Sequence, residues 1–310
     1  LLPYLKALSD ETRLRLVNVL HLYELNVTEL TAVLDQGQSR VSRHLKILAD
    51  SGLLTFRRDG LWVFYSAIRQ GPGTELIGLL LNLGGDDPTL KQDLDRAARV
   101  LAERAWARQV FFKNIAGQWE SLRREVLGGF DLNAEVLSRL PEGGAVVDLG
   151  CGTGDVLQAM LPRVSQAIGV DSSPQMLELA QRRFQKERTP VSLRIGELEH
   201  LPLSDGEVDF AVASLVLHHL SDPLAGLKEA RRVLRPGGAL VVIDFEKHSS
   251  EVMRSRYGDH WLGFSPERLA GWLEEAGFRV VESARFQVNQ GLNVQLFLAE
   301  KNPKSAGGKP

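Results

Sequence analysis

The sequence predicts a multidomain α/β chain, with a small helical domain carrying a β-hairpin ahead of a larger doubly wound parallel sheet. Three observations predict it. Four short amphipathic helical stretches between Leu5 and Ala49 are followed by two β-rich runs around Asp59-Gly60. From Ala145 onward the pattern is strand, loop, helix, repeated, with the glycine loop GCGTG after the first strand. The length, 310 residues, is roughly twice that of a typical domain of about 100 to 200.

Composition sets outer bounds. Apolar residues make up 44% and charged residues 25%, which excludes disordered and fibrous classes. No apolar run reaches the roughly 18 residues of a spanning helix, and no basic-then-apolar leader opens the sequence, so the expected location is cytoplasmic, away from membranes. The single cysteine, Cys151, excludes an intrachain disulfide and a multi-cysteine zinc site. Net charge is -2, but residues 1–70 carry nine Lys/Arg against seven Asp/Glu, a modest basic excess.

In residues 1–70, Leu5 to Leu22 reads as two short helices joined by a cap at Ser9-Asp10-Glu11-Thr12. Val27 to Leu34 is a third helix capped by Thr28 or Asn26, and Gln36-Gly37 breaks the chain before a fourth, Ser39 to Ala49, with Val41, Leu45 and Leu48 on one face. This is a helix-turn-helix arrangement. The face left over holds Gln38, Ser39, Arg40, Ser42, Arg43, His44 and Lys46, donors suited to base edges and phosphates. LLTFRR and LWVFYSA, joined by Asp59-Gly60, form a hairpin with a type I′ turn, a wing that carries Arg57 and Arg58 near its tip. A small helical protein-interaction domain is the competing reading.

These segments, SDETRLRLVNVL, QSRVSRHLKILADSGLL and RRDGLWVFYS, resemble the winged-helix ArsR-type bacterial regulators in order and spacing. The resemblance implies a homodimer on palindromic double-stranded operator DNA. Many members sense metals through a Cys-x-Cys pair, where this sequence has Asn26 and Thr28, so no metal is expected.

Residues 71–125 are read as a helical dimerisation and connector region. Leu76 to Leu83 is a helix that packs on a symmetry mate or on its own chain, and Leu90 to about Leu127 is a long helix with heptad-like Leu94, Val100, Leu101, Trp106, Val110 and Phe111. Any message between domains passes through it.

Residues 126–301 carry the sheet. The strand Ala145–Leu149 runs into GCGTG, and a second strand, Ala167–Val170, ends in Asp171, about 20 residues past the loop, where a carboxylate reaches ribose hydroxyls. Strands Ser192–Ile195 and Val208–Ala213 end at the same crevice. A Walker loop is excluded because no lysine follows Gly154, and D-x-G-x-G-x-G is not the dinucleotide pattern. Asp148 ahead of the glycines repels a pyrophosphate and suits a ligand bearing an ammonium group.

VVDLGCGTG, GVDSSPQML, GELEHLPLSDGEVDFAVASLVLHHLSDP and EARRVLRPGGALVVIDF resemble class I methyltransferases of the ubiquinone/menaquinone-biosynthesis type, over about residues 110–300. The resemblance implies a Rossmann-like methyltransferase sheet that binds S-adenosylmethionine or S-adenosylhomocysteine. It places Asp148, Gly150, Cys151, Gly152 and Gly154 along the methionine part, Asp171 and Ser172 at the ribose, Met176 beside adenine, Glu197-Leu198 at the adenine amino group and Ser214 under the sulfonium. Arg235-Pro236-Gly237-Gly238 is expected as the turn before the fifth strand. His218 and His219 are the candidate bases; packing or hydrogen bonding to the cofactor is the other role open to them. Phe112 to Trp119 and residues 247–269, with His248, Tyr257, His260 and Trp261, are expected around the acceptor, Trp119 also serving the cofactor. Arsenite methylation is disfavoured by the single cysteine.

The combination resembles fused regulators of methionine and S-adenosylhomocysteine metabolism. The leading expectation is a DNA-binding regulator with the cofactor as effector. The alternatives are an active small-molecule methyltransferase that regulates its own genes, and a winged helix used only for dimerisation. The tail, 302–310, is expected to be disordered.

Overall fold

The computed structural model describes residues 1–59, 61–187 and 189–301. The expected disordered tail and the Gly60 position of the hairpin turn lie outside the described residues. Two compact units divide the chain, Leu1–Ala107 and Arg108–Pro310.

In the first unit, α1 (Leu2–Leu8) and α2 (Glu11–Leu22) are separated by Asp10, whose carboxylate accepts the Arg13 N–H as an N-cap. A short strand β1 (Leu25–Asn26) leads into α3 (Val27–Leu34), and Asn26 is the cap: its side chain accepts from Glu29 N–H, while the Glu29 carboxylate accepts from Asn26 N–H. Asp35, at φ 53°, ends that helix, and α4 (Gln38–Asp50) starts after Gly37. Val41, Leu45 and Leu48 are fully buried against Leu16, Leu20 and Leu30. Strands β2 (Leu54–Asp59) and β3 (Trp62–Ala67) pair antiparallel, and β1 adds a third strand on the far side of β3, a pairing too short to show in the sequence pattern.

Helix α5 (Pro72–Leu83) packs on its own chain through Ile77, which is buried in the unit's core, while Leu79 and Leu83 are 58% and 76% exposed. The following helix, α6 (Pro88–Ile115), contains the boundary between units. Its first half belongs to the N-terminal core. Arg15 makes two hydrogen bonds, of 2.7 and 2.8 Å, to Asp93, which is fully buried, and Asn18 donates to the Leu90 carbonyl. The expected unbroken helix to Leu127 does not form. A 3-10 turn at Ala116–Gln118, around Gly117, ends α6 and starts α7 (Trp119–Leu127), because glycine is a weak helix former. Of the heptad-like positions, Leu94, Val100 and Leu101 pack on the first unit's core, whereas Trp106 is 67% exposed.

In the second unit, α8 (Leu132–Leu137) precedes β4 (Ala145–Leu149), α9 (Asp155–Met160), β5 (Gln166–Asp171), α10 (Pro174–Phe184), β6 (Val191–Ile195) and β7 (Val208–Ser214). Then come α11 (Pro223–Val233), β8 (Leu234–Phe245), α12 (Val252–Tyr257), α13 (Pro266–Glu275), β9 (Phe278–Gln287) and β10 (Asn293–Lys301). The seven-stranded sheet runs β6-β5-β4-β7-β8-β10-β9, with β10 antiparallel to both neighbours. Alternate residues of each strand feed a separate apolar layer on each face: Val147 and Leu149 belong to one, Val146 to the other. Asp148 shares the Val146 side. The expected turn at Arg235–Gly238 is instead a bulge inside β8, since the pairing jumps from Val208↔Leu234 to Phe210↔Ala239. Gly238 is required there, because a Cβ would lie 2.8 Å from the Asp209 carbonyl oxygen.

Candidate functional site

The first unit's candidate surface is α4. Gln38, Ser39, Arg40, Ser42, Arg43 and Lys46 are all exposed, so the helix presents a continuous donor face opposite its buried stripe. His44 is not on that face. It is 4% exposed and its Nδ1 sits 3.6 Å from the Asp10 carboxylate and 3.5 Å from Arg13, because it borders the buried stripe of Val41, Leu45 and Leu48 on the side turned toward Asp10 and Arg13. Arg58 is exposed on the hairpin, but Arg57 is not available to a ligand. Its guanidinium makes a bidentate pair with Glu24, reaches Asp59 at 3.3 Å and stacks on Phe64 at 4.3 Å. Asp59 is completely buried and needs a cation, and Arg57 supplies it.

The second unit's cleft opens where the parallel strands end. It is walled by Gly150 and Gly152, by Asp171, Ser172 and Met176, and by Glu197 and Leu198. Trp119 and His219 close it, together with Leu215, Val216 and Leu220, which the sequence reading did not single out. Leu215 carries a legible mark only in three dimensions: its φ of 53° is unusual for a leucine and turns the chain sharply off β7, with its N–H held by the Ile243 carbonyl at 2.7 Å.

The glycine loop is shaped for a close approach. Gly150 (φ 74°) allows the backbone N–H groups of Gly150 and Cys151 to donate together to the Val170 carbonyl, and a Cβ at Gly150 would collide with Val216 at 2.3 Å. Gly152 N–H donates to one Asp171 oxygen at 2.9 Å and Ser173 N–H to the other at 2.8 Å, which aims the carboxylate with lone pairs to spare for vicinal hydroxyls. Burial pushes the Asp171 carboxyl upward, against these two backbone donors. Ser173 was not foreseen; its hydroxyl caps α10 ahead of Pro174, a Ser-Pro helix start that the sequence does contain.

Four expected lining residues lie behind the wall. Cys151 is buried with its thiol toward Gly169, and burial, then Asp148 and Asp171, raise its pKa well above the usual thiol value. Gly154 (φ 84°) caps α9 against the Phe184 ring, and Ser214 ends β7 one residue short of the cleft. Asp148 sits beneath the loop, 1% exposed, and one carboxylate oxygen has no hydrogen-bond partner among the described residues. Burial raises its pKa to about 7, Arg123 pulls it down, and Asp171 and Asp155 add to the rise. A buried, half-protonated carboxylate with an open lone pair calls for a cationic partner. An aminoacyl sulfonium nucleoside would meet that demand with its ammonium group, and Asp171 would be the residue to hold its ribose and Met176 and Leu198 its base. The residues present fit the cofactor.

The two histidines separate in role. His219 reaches the cleft, with its ring 6.3 Å from that of Trp119. His218 does not. It is 2% exposed, its Nδ1 lies 2.6 Å from Asp244 and its Nε2 3.5 Å from Asp259, and although burial opposes the charge, the two carboxylates raise its pKa to about 9. Set back from the cleft and held between two buried carboxylates, His218 is placed less favourably than His219 to act as a general base. Beside the cleft and sharing Trp119 and Leu215 with it, a second, smaller cavity is lined by His218, Asp259, Tyr257, Arg123 and Phe245. Of the other expected acceptor residues, Trp261 is core, donating its indole N–H to Leu220 at 2.8 Å, and the Phe112 side chain lies outside the described ones.

The comparisons agree with this geometry. The family described as "Methyltransferase domain" matches residues 147–242, and "Bacterial regulatory protein, arsR family" matches residues 10–55. A demethylmenaquinone methyltransferase of Deinococcus radiodurans is 31% identical over 211 residues, 57% of this chain and 87% of that protein. An uncharacterised 37.1 kDa protein of transposon TN4556 from Streptomyces fradiae is 47% identical over 104 residues, 32% of this chain and only 30% of that protein. Among solved structures, a putative methyltransferase in complex with the Haloferax volcanii Trm112 activator shares the fold with a TM-score of 0.53 at 21% identity, covering 62% of this chain and 97% of that one. The class is therefore a Rossmann-like S-adenosylmethionine-binding sheet joined to an ArsR-type helix-turn-helix. The chain belongs to the class I S-adenosylmethionine-dependent methyltransferase family, and its cleft is a site for S-adenosylmethionine and S-adenosylhomocysteine.

Proposed function

We propose that this protein is a DNA-binding transcriptional regulator whose methyltransferase unit binds S-adenosylmethionine or S-adenosylhomocysteine as an effector. The observation that carries the reading is an undamaged cofactor cleft in the same chain as a helix presenting Arg40 and Arg43 to solvent. The domains of the proposal are the winged helix at 1–70, the connector at 71–125 and the sensor at 126–301, working in the cytoplasm on the nucleoid. A homodimer on a two-fold operator is supported by the apolar residues left exposed on α1 and α5: Leu2, Leu5, Leu79 and Leu83. The two helices adjoin, since Gly73 of α5 lies against Tyr4 of α1.

An effector acts only through different affinities for the DNA-competent and incompetent states, with a coupling of about 1–3 kcal/mol, or 5- to 150-fold. Fluorescence anisotropy of promoter DNA at fixed salt, with no ligand, S-adenosylmethionine or S-adenosylhomocysteine, is expected to show a shift in that range for one of the two. Identical curves would sink the sensor reading. Arg40→Ala and Arg43→Ala are each expected to weaken operator binding, and a variant that loses a phosphate contact lowers the salt slope by about one. Unchanged affinity in both would support the winged helix as a dimerisation module only.

A second reading is an active small-molecule methyltransferase with an autoregulatory DNA-binding domain. The cavity beside the cleft, lined by Tyr257 and Arg123, favours it. When bound, S-adenosylmethionine supplies an electrophilic methyl group. Trp119 and Leu215, common to both cavities, are placed to align an acceptor and exclude water. Release of S-adenosylhomocysteine during turnover, lost in Asp148→Ala, is the expected signature.

A further inference from the structure

We propose that His218, His219 and Asp259 form a divalent transition-metal site in the wall between the cofactor cleft and the adjoining cavity. One ligand atom from each of the three lies within 4.8 Å of the other two, and all three residues are buried. His218 Nε2 and Asp259 Oδ1 already stand 3.5 Å apart, close to the roughly 3.4 Å between two ligands of a tetrahedral ion with bonds of about 2.1 Å.

The second layer of contacts is what a metal centre requires. His218 Nδ1 lies 2.6 Å from the buried Asp244, and His219 Nδ1 lies 3.3 Å from the Gly258 carbonyl. Both acceptors hold the proton on Nδ1 in the neutral imidazole, which leaves Nε2 as the coordinating atom on each ring, the carboxylate–histidine–metal relay. The backbone fixes the spacing as well. The His218 carbonyl accepts from both His260 N–H and Trp261 N–H, tying the Asp259 loop to the histidine turn, and Gly258 at φ 76° supplies the reversal.

Two imidazoles and one carboxylate suit zinc, cobalt, nickel or ferrous iron, and three protein ligands leave a position open, as in catalytic zinc sites. Because His219 faces the cleft and His218 and Asp259 face the second cavity, the open position is directed to a small molecule lying beside the cofactor. Its chemistry is that of an oxygen donor, a hydroxyl or enol that a divalent ion would acidify. The Tyr257 hydroxyl, buried on the same cavity with no hydrogen-bond partner among the described residues, is a ready second contact for that oxygen. The single cysteine, Cys151, gives no support for thiolate metal sensing at the winged helix and does not bear on this nitrogen and oxygen site. The metal site stands independently of whether the protein senses or transfers a methyl group.

The test is titration of chelator-treated, full-length protein with cobalt(II), followed by visible ligand-field bands, and with zinc(II) by calorimetry. Stoichiometric binding is expected, weakened at least tenfold by Asp259→Asn and by His219→Gln, and about 10- to 100-fold by Asp244→Asn, which touches no metal. Circular dichroism of each variant without metal checks its fold, and His219→Gln carries the test where Asp259→Asn fails to fold. Wild-type protein that binds neither ion overturns the proposal and leaves a buried carboxylate–histidine–carboxylate ion network. Binding that survives Asp259→Asn and His219→Gln overturns it too, as an adventitious surface site. Neither outcome bears on the operator titration, so the two readings fail separately.

Discussion

Asp148→Asn is expected to stabilise the cofactor-free protein and to abolish tight cofactor binding in the same substitution. The two effects have one cause. Below the ordinary carboxylate range, near 4, Asp148 is protonated in both folded and unfolded chains; between there and about 7 only the folded chain keeps the proton. Stability of the cofactor-free protein therefore falls as pH rises from about 4 to about 7, by an amount on the order of 4 kcal/mol for this one group, and then levels off. Asparagine removes that loss, so its melting temperature at pH 8 should exceed that of the wild type. It also removes the counter-charge for the ligand's ammonium, which costs about 2–5 kcal/mol of binding, a 30- to several-thousand-fold loss. In the wild type, affinity for S-adenosylhomocysteine should decline about tenfold per pH unit below 7, and in the variant this slope should vanish. Calorimetric titration between pH 5 and 8 decides it; a slope retained by Asp148→Asn would assign the proton to another group.

Arg15→Ala is expected to destabilise the N-terminal unit more than Asp93→Ala, although the two break the same ion pair. Asp93 is wholly buried, so losing Arg15 strands a charge with no solvent to meet it, a cost of about 3–5 kcal/mol. Losing Asp93 leaves Arg15 partly exposed and still bonded to the Leu34 carbonyl at 3.0 Å, so its cost should sit near 3 kcal/mol or below. Replacing both with apolar residues of similar volume should recover most of the loss. Amide exchange of α2 in the full chain measures all three, and equal losses for the single variants would show that burial of the carboxylate does not control the cost.

Most of this molecule's local structure was readable because short-range chemistry sets it. Asp10 and Asn26 cap helices through groups three residues away, and the central strands β4, β5 and β7 are largely buried apolar runs. The cleft was readable for a related reason: strand ends in a doubly wound sheet converge, so Gly150, Asp171 and Glu197 meet although 47 residues separate the first from the last. What escaped were choices made by tertiary contacts. Arg57 and Arg58 are adjacent basic residues in one hairpin, and only the placement of Glu24, far back in the chain, decides that one is tied and the other free to reach outward. His44 is one of a run of polar residues, and helical phase alone does not say that Asp10 waits on its side. His218 and His219 are neighbours with different fates because Asp244, Asp259 and Gly258 come from segments 26 to 41 residues away.

The buried position of Cys151 has a practical corollary. A thiol that is shielded from solvent and held well above its usual ionisation range reacts sluggishly with maleimides and methanethiosulfonates, which attack through the thiolate. The native chain can thus serve directly as a host for site-directed labelling. One engineered surface cysteine in each unit, for instance Ser42→Cys and Glu275→Cys, would carry a spin or fluorophore pair without first stripping out the natural sulfhydryl, and the inter-label distance distribution, recorded with and without S-adenosylhomocysteine, reads the movement of one unit against the other.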